Sequence, residues 1–227
     1  MQTLGFFLVG LSGLAWTIVY ILLIKAGFKD KTYGMPLFAL ALNITWEFLY
    51  TFLGFQHSTI SLQTWVNLVW SLFDIAIVIC YFKFGKEEFK KYANEKYFIP
   101  WSILIFVMAG TIQYFFLKEF GITDSKNFHL FKAFIEPDLG AWYAAFLQNL
   151  IMSVLFIQML LLRKNNKGQN LTIAIAKWIG TLAPTILFGI LLENNLVLIL
   201  GAFCCVFDVI YIWLLWNKTK EINQKYM

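Results

Sequence analysis

Seven runs of predominantly apolar residues, with nearly every charge gathered into the short segments between them, dominate this sequence. A membrane-spanning helix needs about 20 such residues. The runs fall at about 4–24, 34–55, 64–82, 97–117, 140–162, 171–191 and 195–216. Little of the 227-residue chain remains for a soluble domain. The pattern predicts an all-α fold: one polytopic membrane domain over residues 1–227, with seven transmembrane helices. Charged residues make up only 14% of the chain, against roughly 25% in soluble proteins. That excludes a soluble enzyme, a disordered tail and a DNA-binding module. The net charge of +5 therefore predicts a membrane face and no nucleic-acid partner.

The connecting segments set the orientation. Lys25, Lys29 and Lys31 follow the first run, and Lys83, Lys86, Lys90, Lys91 and Lys96 the third. Arg163, Lys164 and Lys167 follow the fifth, and Lys218, Lys220 and Lys225 form the tail. The other side has only Lys118, Lys126 and Lys132, while Lys177 lies inside the sixth run, near enough to its end to snorkel. The positive-inside rule places the amino terminus outside and the carboxyl terminus in the cytoplasm. The first run has no basic residues before it and no small-residue cleavage site, so it reads as a retained helix. Cys80, Cys204 and Cys205 all fall in apolar runs and suggest neither a disulfide framework nor a metal site. The Glu87-Glu88 pair, in a Lys-rich segment, reads as a solvated charge cluster, and His57 and His129 as solvated loop residues.

Seven helices allow a three-plus-one-plus-three parallel repeat. Leu72-Phe73-Asp74-Ile75 in the third run resembles Val206-Phe207-Asp208-Val209 in the seventh. A true repeat would relate the two aspartates by a pseudo-twofold axis along the membrane normal.

Three acids sit well inside the apolar runs: Glu47, Asp74 and Asp208. An Asp at the centre of a membrane helix costs roughly 2.5–3.5 kcal/mol on the lenient insertion scale, so such groups face a polar interior and carry function. Counted along their helices at 1.5 Å per residue, the three fall within roughly 8 Å of one another in depth. One central pocket is expected to hold them all. Asn43, Glu47, Tyr50 and Gly54 share one stripe of the second helix; Asn67, Trp70, Asp74 and Tyr81 share one of the third. Gly201, Cys204, Cys205, Asp208 and Tyr211 do so on the seventh. Gln113, Trp142, Gln148 and Asn149 add further polar and aromatic groups. Glu193 and Asn194 stand at the outer end of the sixth helix.

No nucleotide, phosphate, metal or hydrolase motif appears: there is no Asp-rich DDxxD pair, no GxSxG and no HExxH. No cofactor and no metal ligands are therefore expected. A desolvated carboxyl tends to stay protonated and can donate its proton. Aromatic faces stabilise a nearby cation. That combination suits carbocation chemistry on a membrane-dissolved polyene, and it equally suits proton-coupled transport.

The stretch Asn43-Ile44-Thr45-Trp46-Glu47-Phe48-Leu49-Tyr50 resembles the second-helix signature of the small integral-membrane terpene cyclases. That family serves fungal meroterpenoid and indole-diterpene pathways and has bacterial relatives. Trp70-Ser71-Leu72-Phe73-Asp74, Glu193-Asn194 and Phe207-Asp208-Val209-Ile210-Tyr211 agree with it in order and spacing. The Lys-rich loops and the long outer segment 118–139 depart from its pattern. The resemblance implies a metal-independent cyclase that protonates a terminal epoxide or alkene of a farnesyl or geranylgeranyl chain attached to an aromatic group and cyclises it through carbocations. It implies catalytic roles for Glu47 and Asp208, with Asp74 and Glu193 shaping the polar network. Asn43, Trp46, Tyr50, Trp70, Asn149, Asn194 and Tyr211 would bind substrate. The expected partners are a prenylated or epoxidised isoprenoid and the bilayer, with the protein a monomer or weak oligomer. The alternative is a seven-helix proton-coupled small-solute transporter.

Overall fold

Long apolar helices in a bilayer gain little from burying carbon against carbon, so small residues that let backbones approach decide how they pack. The computed structural model describes residues 2–56, 60–120 and 139–225. His57, His129, Lys126, Lys132 and most of the 118–139 segment lie outside the described residues. Among the described residues, seven helices are long and apolar enough to cross a membrane. They are α1 (Gln2–Asp30), α2 (Leu37–Gln56), α3 (Leu62–Phe89), α4 (Phe98–Phe120), α5 (Leu139–Arg163), α6 (Leu171–Pro184) and α7 (Asn195–Lys225). A 3-10 turn, Glu95–Tyr97, leads into α4, and α6 continues as a π-helical segment, Thr185–Leu191. Side-chain caps start three of the helices. Ser61 accepts from the Thr64 amide at 3.2 Å, Asn170 from Ile173 at 3.0 Å and Asn194 from Val197 at 3.0 Å.

Helices α1, α3 and α7 run well past the apolar runs on the Lys-rich side. Lys25, Lys29, Lys83 and Lys86, expected in loops, are helical. An apolar run measures the thickness of the lipid, whereas the helix ends where its hydrogen-bonding stops. Lys86 and Lys90 both reach Glu95, at 3.4 and 2.9 Å, and brace the end of α3. The Glu87-Glu88 pair is not one solvated cluster. Glu87 pairs with Lys90 at the surface, but Glu88 receives a two-pronged bond from the buried Arg163, with the closest approach 2.7 Å.

Helix α3 packs on both α1 and α2, and α7 packs on both α5 and α6. The two trios meet where α1 lies along α6 and α2 along α5, and α4 packs on α2 and α5. Gly27 of α1 faces Cys80 of α3, Gly180 of α6 faces the Trp16 indole, and Gly201 of α7 faces Thr185. The Lys-rich half is filled by Leu23, Met35, Leu40, Ile77, Phe98, Met152, Phe156, Tyr211 and their neighbours. The opposite half is built around Leu8, Tyr50, Trp142, Phe146, Leu187 and Phe188, and leaves space between them.

Candidate active site

That space is a cavity of about 420 Å³. Its wall takes residues from α1, α2, α3, α5 and the π-helical segment, all from the half of the bundle opposite the lysines. The π turn matters here because it gives α6 a wider final turn after Pro184, presenting Leu187 and Phe188 together. Aromatic side chains stand in the wall beside polar groups such as Asn43, Asn67 and Gln148. Trp16, Tyr20, Trp46, Tyr50, Trp70, Trp142, Phe146 and Phe188 contribute to it. Trp142 and Phe188 stack at 4.1 Å, and Trp46 and Tyr50 lie 4.7 Å apart. Trp46 is held by a bond from its indole N–H to the Ala141 carbonyl, and Trp70 by one to Thr17. Among the described residues the wall has one carboxyl group, Glu47, and no cationic side chain.

Glu47 ends a directional chain of hydrogen bonds. Gln113 Nε2 donates to Gln148 Oε1 at 2.9 Å, and Gln148 Nε2 to Asn43 Oδ1 at 3.4 Å. Asn43 Nδ2 donates both to Asp74 Oδ2, at 2.8 Å, and to the Tyr20 hydroxyl. The Tyr20 hydroxyl then faces Glu47 Oε1 at 3.4 Å. Glu47 Oε2 has no hydrogen-bond partner among the described residues, although Glu47 is 97% shielded from the exterior, being 3% exposed. Asp74, fully buried, stands behind Asn43 and is not part of the cavity wall.

Asp208 lies elsewhere. The three acids expected in a single pocket do not share one: only Glu47 lines the cavity, because depth along the helices says nothing about separation across the bundle. Asp208 Oδ1 pairs with Lys177 Nζ at 2.7 Å, and Lys177 also donates to Ser153 Oγ at 2.6 Å. Lys177 does not snorkel. It is 0% exposed, since its ammonium finds two partners within the bundle. Neither it nor Asp208 lines the cavity.

Of the other sequence-derived site residues, Asn43, Trp46, Tyr50, Trp70 and Asn149 line the cavity. Glu193, Asn194 and Tyr211 do not. Glu193 takes a left-handed backbone, φ 55°, in the turn between the π segment and α7, and its side chain is exposed. Asn194 caps α7 and donates to the Tyr143 hydroxyl at 3.1 Å. Tyr211 is buried against Phe156 in the Lys-rich half. Sequence reasoning passed over Tyr20, a lone phenol in an otherwise apolar helix face, and Trp16. Among the described residues, no three His, Cys, Asp or Glu side chains gather as metal ligands.

The cavity has one thin side. Helices α1 and α3 are joined at Thr17 and Trp70 and pack down to Gly27 and Cys80. Nearer the amino terminus of α1, a Cβ on Gly10 or Gly13 would meet nothing within 4 Å. Leu14 and Leu62 at this edge of the wall are 62% and 54% exposed.

A family model for Pyr4-like transmembrane terpene cyclases matches residues 1–221. The Pyr4-family terpene cyclase mfmH of Annulohypoxylon moriforme is 33% identical over 179 residues, covering 78% of this chain and 66% of its own. Terpene cyclase pyr4 of Aspergillus fumigatus is 23% identical over 220 residues, 92% of this chain and 84% of its own. Terpene cyclase penB of Penicillium crustosum is 29% identical over 170 residues, 74% and 63% respectively. The chain thus spans just under two thirds of mfmH and penB. No solved structure matches it.

Proposed function

Because this chain belongs to the Pyr4-like transmembrane terpene cyclases, we propose that its cavity binds the prenyl chain of a membrane-dissolved isoprenoid and cyclises it by proton transfer from Glu47. The observation that carries this reading is that, among the described residues, the wall has a single carboxyl group, with one unpartnered oxygen, set among aromatic faces and neutral amides such as Asn43 and Asn149. The Tyr20 hydroxyl accepts from Asn43 and donates toward Glu47 Oε1, which leaves Oε2 as the oxygen without a partner among the described residues. The transferable proton is then on Oε2. It passes to the terminal epoxide oxygen or alkene carbon of a farnesyl or geranylgeranyl chain, and the neighbouring double bonds close rings onto the cation. A proton lost from the last cation balances the one added, so the product is an isomer of the substrate. The faces of Trp46, Trp70 and the Trp142–Phe188 stack line the path of the cation, each such contact contributing up to about 2 kcal/mol when desolvated. Asn149 adds a polar contact in the wall, and Asp74 fixes Asn43 from behind. The Glu193-Asn194 turn acts indirectly, by seating α7.

The positive-inside rule supports an amino terminus outside, with the cavity in the outer half of the bilayer. The like arrangement of the two helix trios supports a three-plus-one-plus-three plan. That plan would also suit a carrier. Against a carrier, the Lys-rich half below Asn43 and Trp70 is filled by core side chains, leaving the cavity on one side only.

The test is an assay of purified protein in detergent with EDTA present. Its substrates are farnesyl- and geranylgeranyl-aromatic compounds with and without a terminal epoxide. A cyclised isomer of unchanged mass is expected, and Glu47→Gln should abolish it while the protein stays folded. Turnover persisting in Glu47→Gln would remove Glu47 from the role of acid.

A further inference from the structure

The cyclisation reading leaves one intramembrane charge unused: the Lys177–Asp208 pair, 0% and 1% exposed at its two side chains. Breaking such a pair is costly because it strands a buried charge, whereas removing both charges is often tolerated. A membrane protein that keeps a buried pair has therefore kept it against an easy alternative.

The pair has a counterpart in the other half of the chain. Asn43 and Asp74 are joined by a hydrogen bond across 31 residues, and Lys177 and Asp208 are joined across 31 residues as well. The step from Asn43 to Lys177 equals the step from Asp74 to Asp208. The helices correspond: Asn43 and Lys177 lie on the middle helix of their trios, Asp74 and Asp208 on the last. A third group comes from the first helix each time. Tyr20 on α1 meets Asn43, and Ser153 on α5 meets Lys177. Each last helix packs on the other two of its trio.

We propose that Lys177, Asp208 and Ser153 are the duplicated counterpart of Asn43, Asp74 and Tyr20, with the amide replaced by an ammonium that pairs with Asp208. Asp208 is then a positioning residue and not a proton donor. The inference rests on the reading of Glu47 as the acid. The route from the pair to the cavity is short. Ser153, which takes a bond from Lys177, donates to the Asn149 carbonyl at 2.9 Å, and Asn149 and Gln148 are in the wall. On the other side, Gly180, one turn beyond Lys177, lies against the Trp16 indole and accepts from Ser12 at 2.7 Å. The pair thus fixes the α5 and α6 sides of the cavity from the Lys-rich side.

The experiment compares wild type, Glu47→Gln, Asp208→Asn, Lys177→Gln and the double variant Lys177→Gln/Asp208→Asn in one detergent. Infrared spectra report the carbonyl stretch of protonated carboxyl groups. Glu47→Gln is expected to remove a component of that band, and Asp208→Asn to leave the band intact. Each single change in the pair should lower Tm by at least about 6 °C, and the double variant should recover half of that loss or more. On the prenyl-aromatic panel, the double variant should recover kcat at least about ten-fold over Asp208→Asn, with little change in KM. A protonated-acid component lost with Asp208→Asn would overturn the proposal. So would a double variant that melts like wild type yet turns over no faster than Asp208→Asn. With no turnover on the panel, the infrared and melting results still decide. A band unchanged in Glu47→Gln counts against Glu47 as the acid and leaves the assignment of Asp208 standing.

Discussion

On the proposed function, Tyr20 is the residue on which the acid would depend. Its hydroxyl oxygen accepts from Asn43, its ring is packed by Trp70 at 5.8 Å and Phe73 at 6.0 Å, and its remaining proton faces Glu47. Were Glu47 to give up its proton as proposed, that O–H would already be aimed at the new carboxylate. A hydrogen bond to a charged group contributes about 1.5–3 kcal/mol. Tyr20→Phe should therefore lower kcat by roughly ten-fold or more at 1.4 kcal/mol per decade, with KM nearly constant. Steady-state kinetics on the substrate of the active panel member would check this, and an unchanged kcat would make Tyr20 a packing residue only. Asn43, Glu47 and Tyr50 were legible because helical spacing puts three polar groups on one stripe. Tyr20 was not, since a single phenol among apolar neighbours carries no period. Lys177 was misread for a related reason: its depth in the helix was visible, but the acid and hydroxyl waiting on α7 and α5 were not.

At the scale of the helix, most boundaries followed the hydropathy to within about three residues, while α1, α3 and α7 overran it on the Lys-rich side, where charge pairs brace the ends of α3 and α7. The π-helical end of α6 had no signature beyond Pro184, because its geometry answers to α7. Gly189 faces the Leu198 backbone, and a Cβ there would lie 2.8 Å from Leu198 Cα. Backbone cannot yield as a side-chain tip can. Gly189→Ala should destabilise the protein by about 1–3 kcal/mol, seen as a fall in Tm in detergent and a loosening of the turn that carries Phe188. A variant that melts like wild type would mean that α7 is free to shift.

The whole molecule is tied at one end and hollow at the other. At the tied end Arg163 bonds Glu88 and the Tyr33 carbonyl and lies 4.3 Å over the Tyr33 ring. The Asp30 carboxylate meanwhile accepts from the Gly168 amide at 2.8 Å. Burial first, and then the nearby Glu88 charge, push the Tyr33 hydroxyl up to about 12. Its unfolded value is 10.0, so between these values the folded state holds a proton that the unfolded state has lost. Stability from this group is complete below pH 10 and drains away as pH rises toward 12. Tyr33→Phe should accordingly lose less Tm than wild type over that range, and equal losses would show that Tyr33 is not sheltered. At the hollow end, an entry between α1 and α3 would make the chamber a ruler. Such a doorway, in the open space beside Gly10 and Gly13, would lie about 10–15 Å along α1 from Tyr20, the partner of Glu47, at 1.5 Å per residue. Gly13→Leu should narrow that doorway and act chiefly by raising KM. On the proposed function, an oily tail slipping in from the lipid would meet the proton with its last carbons while its head stayed outside. Such an enzyme would measure the tail and leave the head unread, so one length of tail could be cyclised under many different heads.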